Sequence, residues 1–332
     1  MKKLSYYPAA GTNGYGNPYS VNYKSAMSAY YEVLEADNKA PRYNMLGLYI
    51  LKRAFQADVY IYNWIENIGT FRLPMLQLLL TALAILVVKC RRKKIVWMFH
   101  NIHPHSGATF YSHTVSWLLF HTASLIVSHS KEAADYARKK TKKKVLFLCH
   151  PVKPFSDEEL RYAGKVEDCD VLIWGSIIKY KGIEEFISLP EVQKSKLKIR
   201  IIGTGKDKEL IKGIRQWCNN HICLDEKRAS FGEIAAYCKT AKYVLFPYVG
   251  DCVSSSGALI DTIAMGGVPV GPNVGAFKDL SEEKVCITYN NYSDLLKILQ
   301  SERVCDNNIA NFFKKNSWRS FAEVINNEIS RK

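Results

Sequence analysis

The chain has 332 residues, room for two domains of ordinary size, and 48% of them are hydrophobic, which excludes wholesale disorder. Lysine and arginine number 46 against 31 aspartate and glutamate, a net charge of +15 that favours an anionic partner: nucleic acid, acidic lipid headgroups or phosphorylated substrates. The nine cysteines form no CxxC pair and show no metal-ligand spacing; Cys90, Cys149, Cys223 and Cys238 stand in apolar runs and read as small buried hydrophobes in a reducing compartment.

Met1-Lys2-Lys3-Leu4 runs straight into a strand-like stretch with no apolar signal segment, so export is not expected. The loop from Ala10 to Tyr19 carries Gly11, Gly14 and Gly16 before Asn17; its glycines let backbone amides approach a ligand, although the spacing is not a strict dinucleotide fingerprint. Apolar strands are expected at Asp58–Tyr62, Ile95–Phe99, Ser124–Ser128 and Lys144–Leu148, with helices near 73–88, 109–121 and 130–139 between them. Near-continuous apolar strands alternating with helices imply a parallel sheet covered on both faces. The helix from Leu73 to Val88 is almost wholly apolar and runs into Lys89-Cys90-Arg91-Arg92-Lys93-Lys94. It is shorter than the roughly 20 residues a bilayer span needs, so it reads as buried or interfacial. Its basic end would sit well against acidic headgroups, and a core helix with a solvated end is an equal alternative.

The pattern breaks between Pro151 and Asp170, a polar stretch with Pro151 and Pro154. A second series follows: Val171–Trp174, Ile199–Ile202, His221–Leu224, Tyr243–Phe246 and Val268–Val270, again with helices between. The expected organisation is one Rossmann-like domain over 1–155, a second over 168–306 and a helical tail over 307–332. The fold class is α/β, two Rossmann-like domains facing each other across a cleft, with ligands at the carboxyl ends of the strands.

Four loops at strand ends carry the candidate chemistry. The glycine loop supplies Gly14, Gly16 and Asn17 as candidate ligand contacts. The strand end His100-Asn101-Ile102-His103-Pro104-His105 offers imidazoles; no carboxylate or cysteine completes a metal site, so hydrogen bonding to sugar hydroxyls or phosphate is the more natural role and no metal is expected. Gly175-Ser176-Ile177-Ile178-Lys179-Tyr180-Lys181 brings two lysines after a Gly-Ser turn, suited to neutralising a diphosphate leaving group. In Asp251-Cys252-Val253-Ser254-Ser255-Ser256-Gly257 a serine run opens a helix, whose free amides and positive dipole end form an anion site. Asp261, about one turn into that helix, is placed to accept hydrogen bonds from ribose hydroxyls. Gly203 belongs to the loop expected beside the nucleotide base, with Leu224-Asp225-Glu226.

Together these loops resemble the GT-B glycosyltransferases, and within them the retaining family-4-like group. The resemblance is carried by the histidine-rich strand end at His100, His150-Pro151, Tyr180-Lys181-Gly182, the run from Ser255 to Phe277, and Ser317-Trp318 before the last helix. It implies that the first domain binds the acceptor, through Gly14, Gly16, Asn17 and His103, and the second the nucleotide-sugar donor; that Lys181 contacts the donor phosphates, that Ser255, Ser256 and Gly257 bind the diphosphate, and that His100 lies near the transferred sugar, with His100, Lys181 and Asp251 the expected catalytic residues. It places Asp261 near the second acid of a spaced pair, the one that binds ribose, with Asp251 the nearest candidate for the first. Ile178 stands where the group carries a phosphate-binding arginine, and Lys179 is the substitute. The implied activity is metal-independent transfer of a sugar from a UDP- or GDP-linked donor, a co-substrate rather than a cofactor. The expected acceptor is a glycan or a lipid-linked one in surface or capsular polysaccharide synthesis, at the cytoplasmic face of a membrane. Two alternatives remain: a nucleotide-sugar epimerase or dehydrogenase, which lacks its dinucleotide fingerprint here, and a non-catalytic basic protein binding nucleotide or nucleic acid, which would need aromatics interleaved with the lysines.

Overall fold

The computed structural model describes residues 1–8, 17–34, 46–100, 102, 109–153, 155–250, 256–301 and 308–331. Its described residues form two parallel six-stranded sheets, each in its own compact unit.

In the first sheet the elements run β1 Lys3–Tyr7, α1 Pro18–Met27, β2 Glu32–Leu34, α2 Leu46–Arg53, β3 Val59–Asn63, α3 Pro74–Cys90, β4 Lys94–Phe99, α4 Phe110–Thr122, β5 Leu125–Ser128, α5 Lys131–Lys140 and β6 Val145–Phe147. The strand order is β2-β1-β3-β4-β5-β6, all parallel. β3 and β5 are buried at every position and β4 at all but its first, as strands covered on both faces must be. One face packs Trp97, Phe99 and Tyr60 under α2, α3 and α4; the other packs Tyr6, Tyr23 and Met98.

The second series is β7 Val171–Trp174, α6 Ile183–Ile187, α7 Pro190–Lys194, β8 Ile199–Ile202, α8 Lys208–Gln216, β9 Ile222–Asp225, α9 Phe231–Thr240, β10 Tyr243–Leu245, α10 Gly257–Ala264, β11 Pro269–Pro272, α11 Gly275–Glu282, β12 Ile287–Tyr289 and α12 Tyr292–Gln300. Its order is β12-β11-β10-β7-β8-β9.

The units are Met1–Pro151 with Asn316–Lys332, and Val152–Lys315. The expected helical tail is two helices, α13 Ile309–Lys315 and α14 Trp318–Ser330, the second starting directly after Ser317. Ser317 separates them, its side chain accepting from the Ser320 amide to cap α14. α14 belongs to the first unit, where Phe321, Ala322 and Ile325 pack among Tyr23, Met27 and Val127. The cysteines correct another expectation: Cys238 is buried, but Cys149 and Cys223 are half-buried and Cys90 is exposed at the end of α3. Cys90 follows Lys89 where the helix leaves the sheet, so an apolar run on one side of it does not bury it.

Candidate donor and acceptor sites

The donor-site candidates that fall within the described residues gather at the carboxyl ends of β7, β8 and β10. β7 ends at Trp174 and turns at Gly175. β8 ends against the same turn: a Cβ on Gly203 would lie 1.9 Å from the Gly175 carbonyl oxygen, so only glycine lets the two strand ends meet. A 3-10 turn, Lys179–Lys181, then closes at Gly182, whose φ is +62° and whose Cβ position would lie 2.1 Å from the Pro247 carbonyl oxygen. That contact brings the end of β10 against the lysine turn, and the Val249 amide donates to the Tyr180 carbonyl at 2.9 Å.

Lys181 is therefore turned inward. It is 8% exposed, and its ammonium lies 5.6 Å from the centre of the Tyr248 ring. Burial pushes its pKa down to about 8. Among the described residues no carboxylate forms an ion pair with it. A buried ammonium that, among the described residues, meets a ring quadrupole and no carboxylate is an incomplete arrangement, since buried charges are normally paired. Lys179 is exposed at the head of the same turn, and Ser176 is exposed after Gly175.

Tyr248 joins this lysine to α10. Its hydroxyl lies 3.2 Å from Ser256 Oγ, and Ser256 caps α10 by accepting from the Leu259 amide. Gly257 and Ala258 are the first amides of the helix, ahead of its internal hydrogen-bond ladder. Trp174 Nε1 donates to Thr262 Oγ1 at 2.9 Å, fixing α10 to the end of β7. Next to Thr262, Asp261 has its pKa raised to about 7 by burial, an effect that Lys153 opposes. Asp251, Ser254 and Ser255 lie outside the described residues. Lys181, Gly175, Gly203 and Ser256 are thus drawn into one assembly, with Gly257 and Asp261 on the helix it caps. Tyr248 is the member that sequence reasoning did not single out; its place directly after strand end Phe246-Pro247 was the available signal.

The first unit gathers a second cluster at the carboxyl ends of β3, β4 and β5. His100, directly after β4, is 4% exposed and stacks on Trp64 with ring centres 4.6 Å apart and planes 15° apart. Its Nε2 lies 3.0 Å from Asn63 Oδ1, while Asn63 Nδ2 donates to the Tyr7 carbonyl at 3.1 Å. The second bond fixes the amide's orientation, so His100 must carry its proton on Nε2. Tyr19 stands at the centre, its ring 5.2 Å from His100, 5.1 Å from His150 and 5.1 Å from Trp318. His129 Nδ1 lies 2.8 Å from the Leu148 carbonyl, so that nitrogen is the donor and Nε2 accepts from the Tyr19 hydroxyl at 2.7 Å. Burial pushes the pKa of His129 down to about 3 and of His150 down to about 4, with the neighbouring His150 a smaller influence on His129. Both rings are therefore neutral near pH 7. Neutral imidazoles, an oriented amide and flat aromatic faces suit the hydroxyls and apolar faces of a sugar better than they suit a phosphate.

Asn17 caps α1, its Oδ1 accepting from the Tyr19 amide at 3.0 Å, one residue before Pro18 and two before the cluster's central tyrosine. Gly14, Gly16 and His103 lie outside the described residues. Trp64, Tyr19 and His129 were not singled out from the sequence. Trp64 and His129 each follow an apolar strand directly, and that position was their signal.

No protein-family model matches the chain, and no curated protein matches it in sequence. Solved structures do. HepE of Anabaena, in complex with UDP and glucose, superposes with a TM-score of 0.68 at 13% identity, over 99% of this chain and all of the other. Sucrose-phosphate synthase of Thermosynechococcus elongatus gives 0.69 at 12%, over 98% of each chain. A glycosyltransferase involved in avilamycin A biosynthesis gives 0.62 at 12%, over the whole of this chain and 98% of the other. Two parallel six-stranded Rossmann-like units, matched over nearly their whole length in this way, define the class: the chain has the GT-B fold.

Proposed function

We propose that the chain is a metal-independent, retaining glycosyltransferase that takes a UDP- or GDP-linked sugar as donor. The observation that carries this reading is Lys181, a buried ammonium with no acidic partner among the described residues, joined through Tyr248 to the start of α10. A diphosphate supplies the missing counter-charge. The Gly257 and Ala258 amides add donors and the positive end of the helix dipole. Ser176, Lys179, Ser254 and Ser255 extend the phosphate contacts, the loop at Gly203 borders the base, and Asp261 accepts from ribose hydroxyls. Asp251 would take the place of the first acid in the pair.

In the reaction, the bond between the sugar's anomeric carbon and the diphosphate oxygen breaks, and the acceptor oxygen forms the new glycosidic bond. The acceptor proton passes to the departing diphosphate. Negative charge grows on that diphosphate in the transition state, where fixed cationic and amide donors stabilise it most. His100, held in one tautomer by Asn63, lies near the transferred sugar, and Gly14, Gly16, Asn17 and His103 contribute to the acceptor. That acceptor is a glycan or a lipid-linked one in surface or capsular polysaccharide synthesis, and the protein is peripheral at the cytoplasmic face of a membrane. The solved HepE complexes hold UDP and UDP-glucose, which favours UDP as the first donor base to try.

The test is nucleoside diphosphate release from a panel of UDP- and GDP-sugars with oligosaccharide and lipid-linked acceptors. Acceptor-dependent release that Lys181→Ala lowers by about a hundredfold or more is the expected result, the usual scale for loss of one preorganised donor. Release at the unaltered rate in Lys181→Ala would remove the proposed site.

A further inference from the structure

The helix α3 is apolar on its exposed face as well as its buried one. Its polar residues Gln77 and Thr81 face the core, 2% and 0% exposed. Leu78 and Ile85 are buried beside them, but four other leucines face outward: Leu76 is 47% exposed, Leu79 60%, Leu83 46% and Leu86 58%. The intervals of three and four residues put these four on one stripe, which ends at exposed Cys90. At 1.5 Å per residue the 17-residue helix presents this stripe over about 25 Å. The neighbouring helix α4, packed against α3, exposes Phe110 and Trp117. Single exposed leucines need no explanation, but a continuous stripe on a helix whose polar groups point inward does.

Charge identifies what covers it. The stripe runs into Lys89, Arg92 and Lys94, and a second basic run, from Arg138 to Lys144, comes to the same place. Lys89 has its pKa lowered first by burial and then by Lys143 and Lys94, so ammonium groups from two separate segments crowd one patch. Several cations nearby are paired, as Lys93 is with Asp58 and Lys144 with Glu328, but among the described residues Lys89, Lys94, Lys142 and Lys143 have no acidic partner. Among the described residues no helix is long and apolar enough to cross a membrane. An apolar stripe flanked by uncompensated cations matches the acyl boundary and headgroups of an anionic bilayer, and a second copy of the same patch would meet it with like charge.

We propose that this face of the first unit, the α3 leucine stripe with the basic patch formed at Lys89 and Lys143, docks on the surface of an anionic lipid bilayer. The leucines enter the headgroup–acyl boundary and the lysines pair with lipid phosphates. The proposal deepens the peripheral membrane placement given above and rests on that part of the reading alone; it does not require Lys181 or the donor chemistry.

The test is co-sedimentation of the full chain with phosphatidylcholine vesicles, with and without phosphatidylglycerol. Three proteins are compared: the natural chain, Leu79→Glu/Leu83→Glu and Lys89→Glu/Lys142→Glu/Lys143→Glu. Circular dichroism and stabilisation by UDP serve as readouts of the fold and the donor site. The natural chain should bind the anionic vesicles at least about tenfold more tightly than neutral ones. Each variant should lose about tenfold or more of that binding. Added salt should weaken the natural chain's binding and scarcely affect the lysine variant. Three results would each overturn the proposal: no anionic-vesicle binding by the natural chain, binding that both variants keep in full, or a leucine-dependent dimer without lipid binding. UDP stabilisation retained alongside such a failure would leave the donor site standing.

Discussion

Lys181→Met separates two effects of one buried charge. An exposed lysine titrates near 10.5, and burial pushes Lys181 down to about 8. At 1.36 kcal/mol per pKa unit, holding the protonated amine in the free protein costs about 3 kcal/mol. Methionine fills much of the same apolar path without the charge, and it gives up the contact with the Tyr248 face, which is worth about 0.5–2 kcal/mol. The net expectation at pH 7 is a variant more stable than the natural chain by about 1–2 kcal/mol, or about 2–8 °C for a unit of this size. The sign follows from linkage. Below pH 8 the folded lysine is charged and the full cost is present. Between pH 8 and 10.5 the folded form gives up its proton while the unfolded form keeps it, so the cost shrinks, and above 10.5 it is gone. The stability gap between variant and natural chain should therefore be widest below pH 8 and close by pH 10.5. The assay is thermal or urea unfolding of both proteins from pH 6.5 to 10.5. A variant less stable than the natural chain at pH 7, with a gap that ignores pH, would mean that the ammonium is already compensated and needs no anion.

Asp261→Asn should weaken nucleoside diphosphate binding about tenfold to a hundredfold at pH 8, the scale of a charge-assisted hydrogen bond. Because burial raises Asp261 to about 7, the natural chain loses its advantage as pH falls below 7, which titration calorimetry at pH 6 and pH 8 resolves. Tyr19→Phe leaves the buried His129 Nε2 without its hydroxyl donor and should destabilise the first unit by about 1–3 kcal/mol in urea unfolding. His129 and His150 titrate far below the ordinary 6.5 in the folded chain, so unfolded chains take up protons first: stability contributed by their burial in neutral form is present above pH 6.5 and is lost as pH falls toward 4, visible as a falling urea midpoint. Gly182→Ala places a Cβ 2.1 Å from the Pro247 carbonyl at a φ of +62°, so it should displace the lysine turn and cost about 3 kcal/mol or more in urea unfolding of the second unit.

The parts of the fold legible in the sequence are those with the densest burial. β3, β4 and β5 lie inside the first sheet and β7, β10 and β11 inside the second, and strands covered on both faces read as apolar runs. β2 and β12 were not legible: each is a three-residue edge strand, and Glu32-Val33-Leu34 has no buried residue at all, whereas β6, equally short and also at an edge, keeps the apolar run Val145-Leu146-Phe147. α3 was legible as an apolar helix of the right length. Its orientation was not, because composition does not reveal that Gln77 and Thr81 turn inward while Leu76, Leu79, Leu83 and Leu86 turn out. The assembly around Lys181 followed from local rules: a strand end, a glycine turn and a serine before a helix each announce themselves within a few residues. The imidazole–aromatic cluster around Tyr19 did not, since Tyr19, Trp64, His129 and Trp318 come from four distant segments and meet only once the parallel sheet has brought their strand ends together.

The central claim is that the second unit grips a diphosphate through Lys181 and the start of α10. Titration calorimetry of the natural chain and Lys181→Met with UDP, UMP and uridine, and with the guanosine series, tests it most directly. The account predicts that one diphosphate binds at least about tenfold more tightly than its monophosphate, and that Lys181→Met erases this preference while keeping the weak nucleoside contribution. Equal affinity for diphosphate, monophosphate and nucleoside in the natural chain, or an unchanged diphosphate preference in the variant, would contradict it.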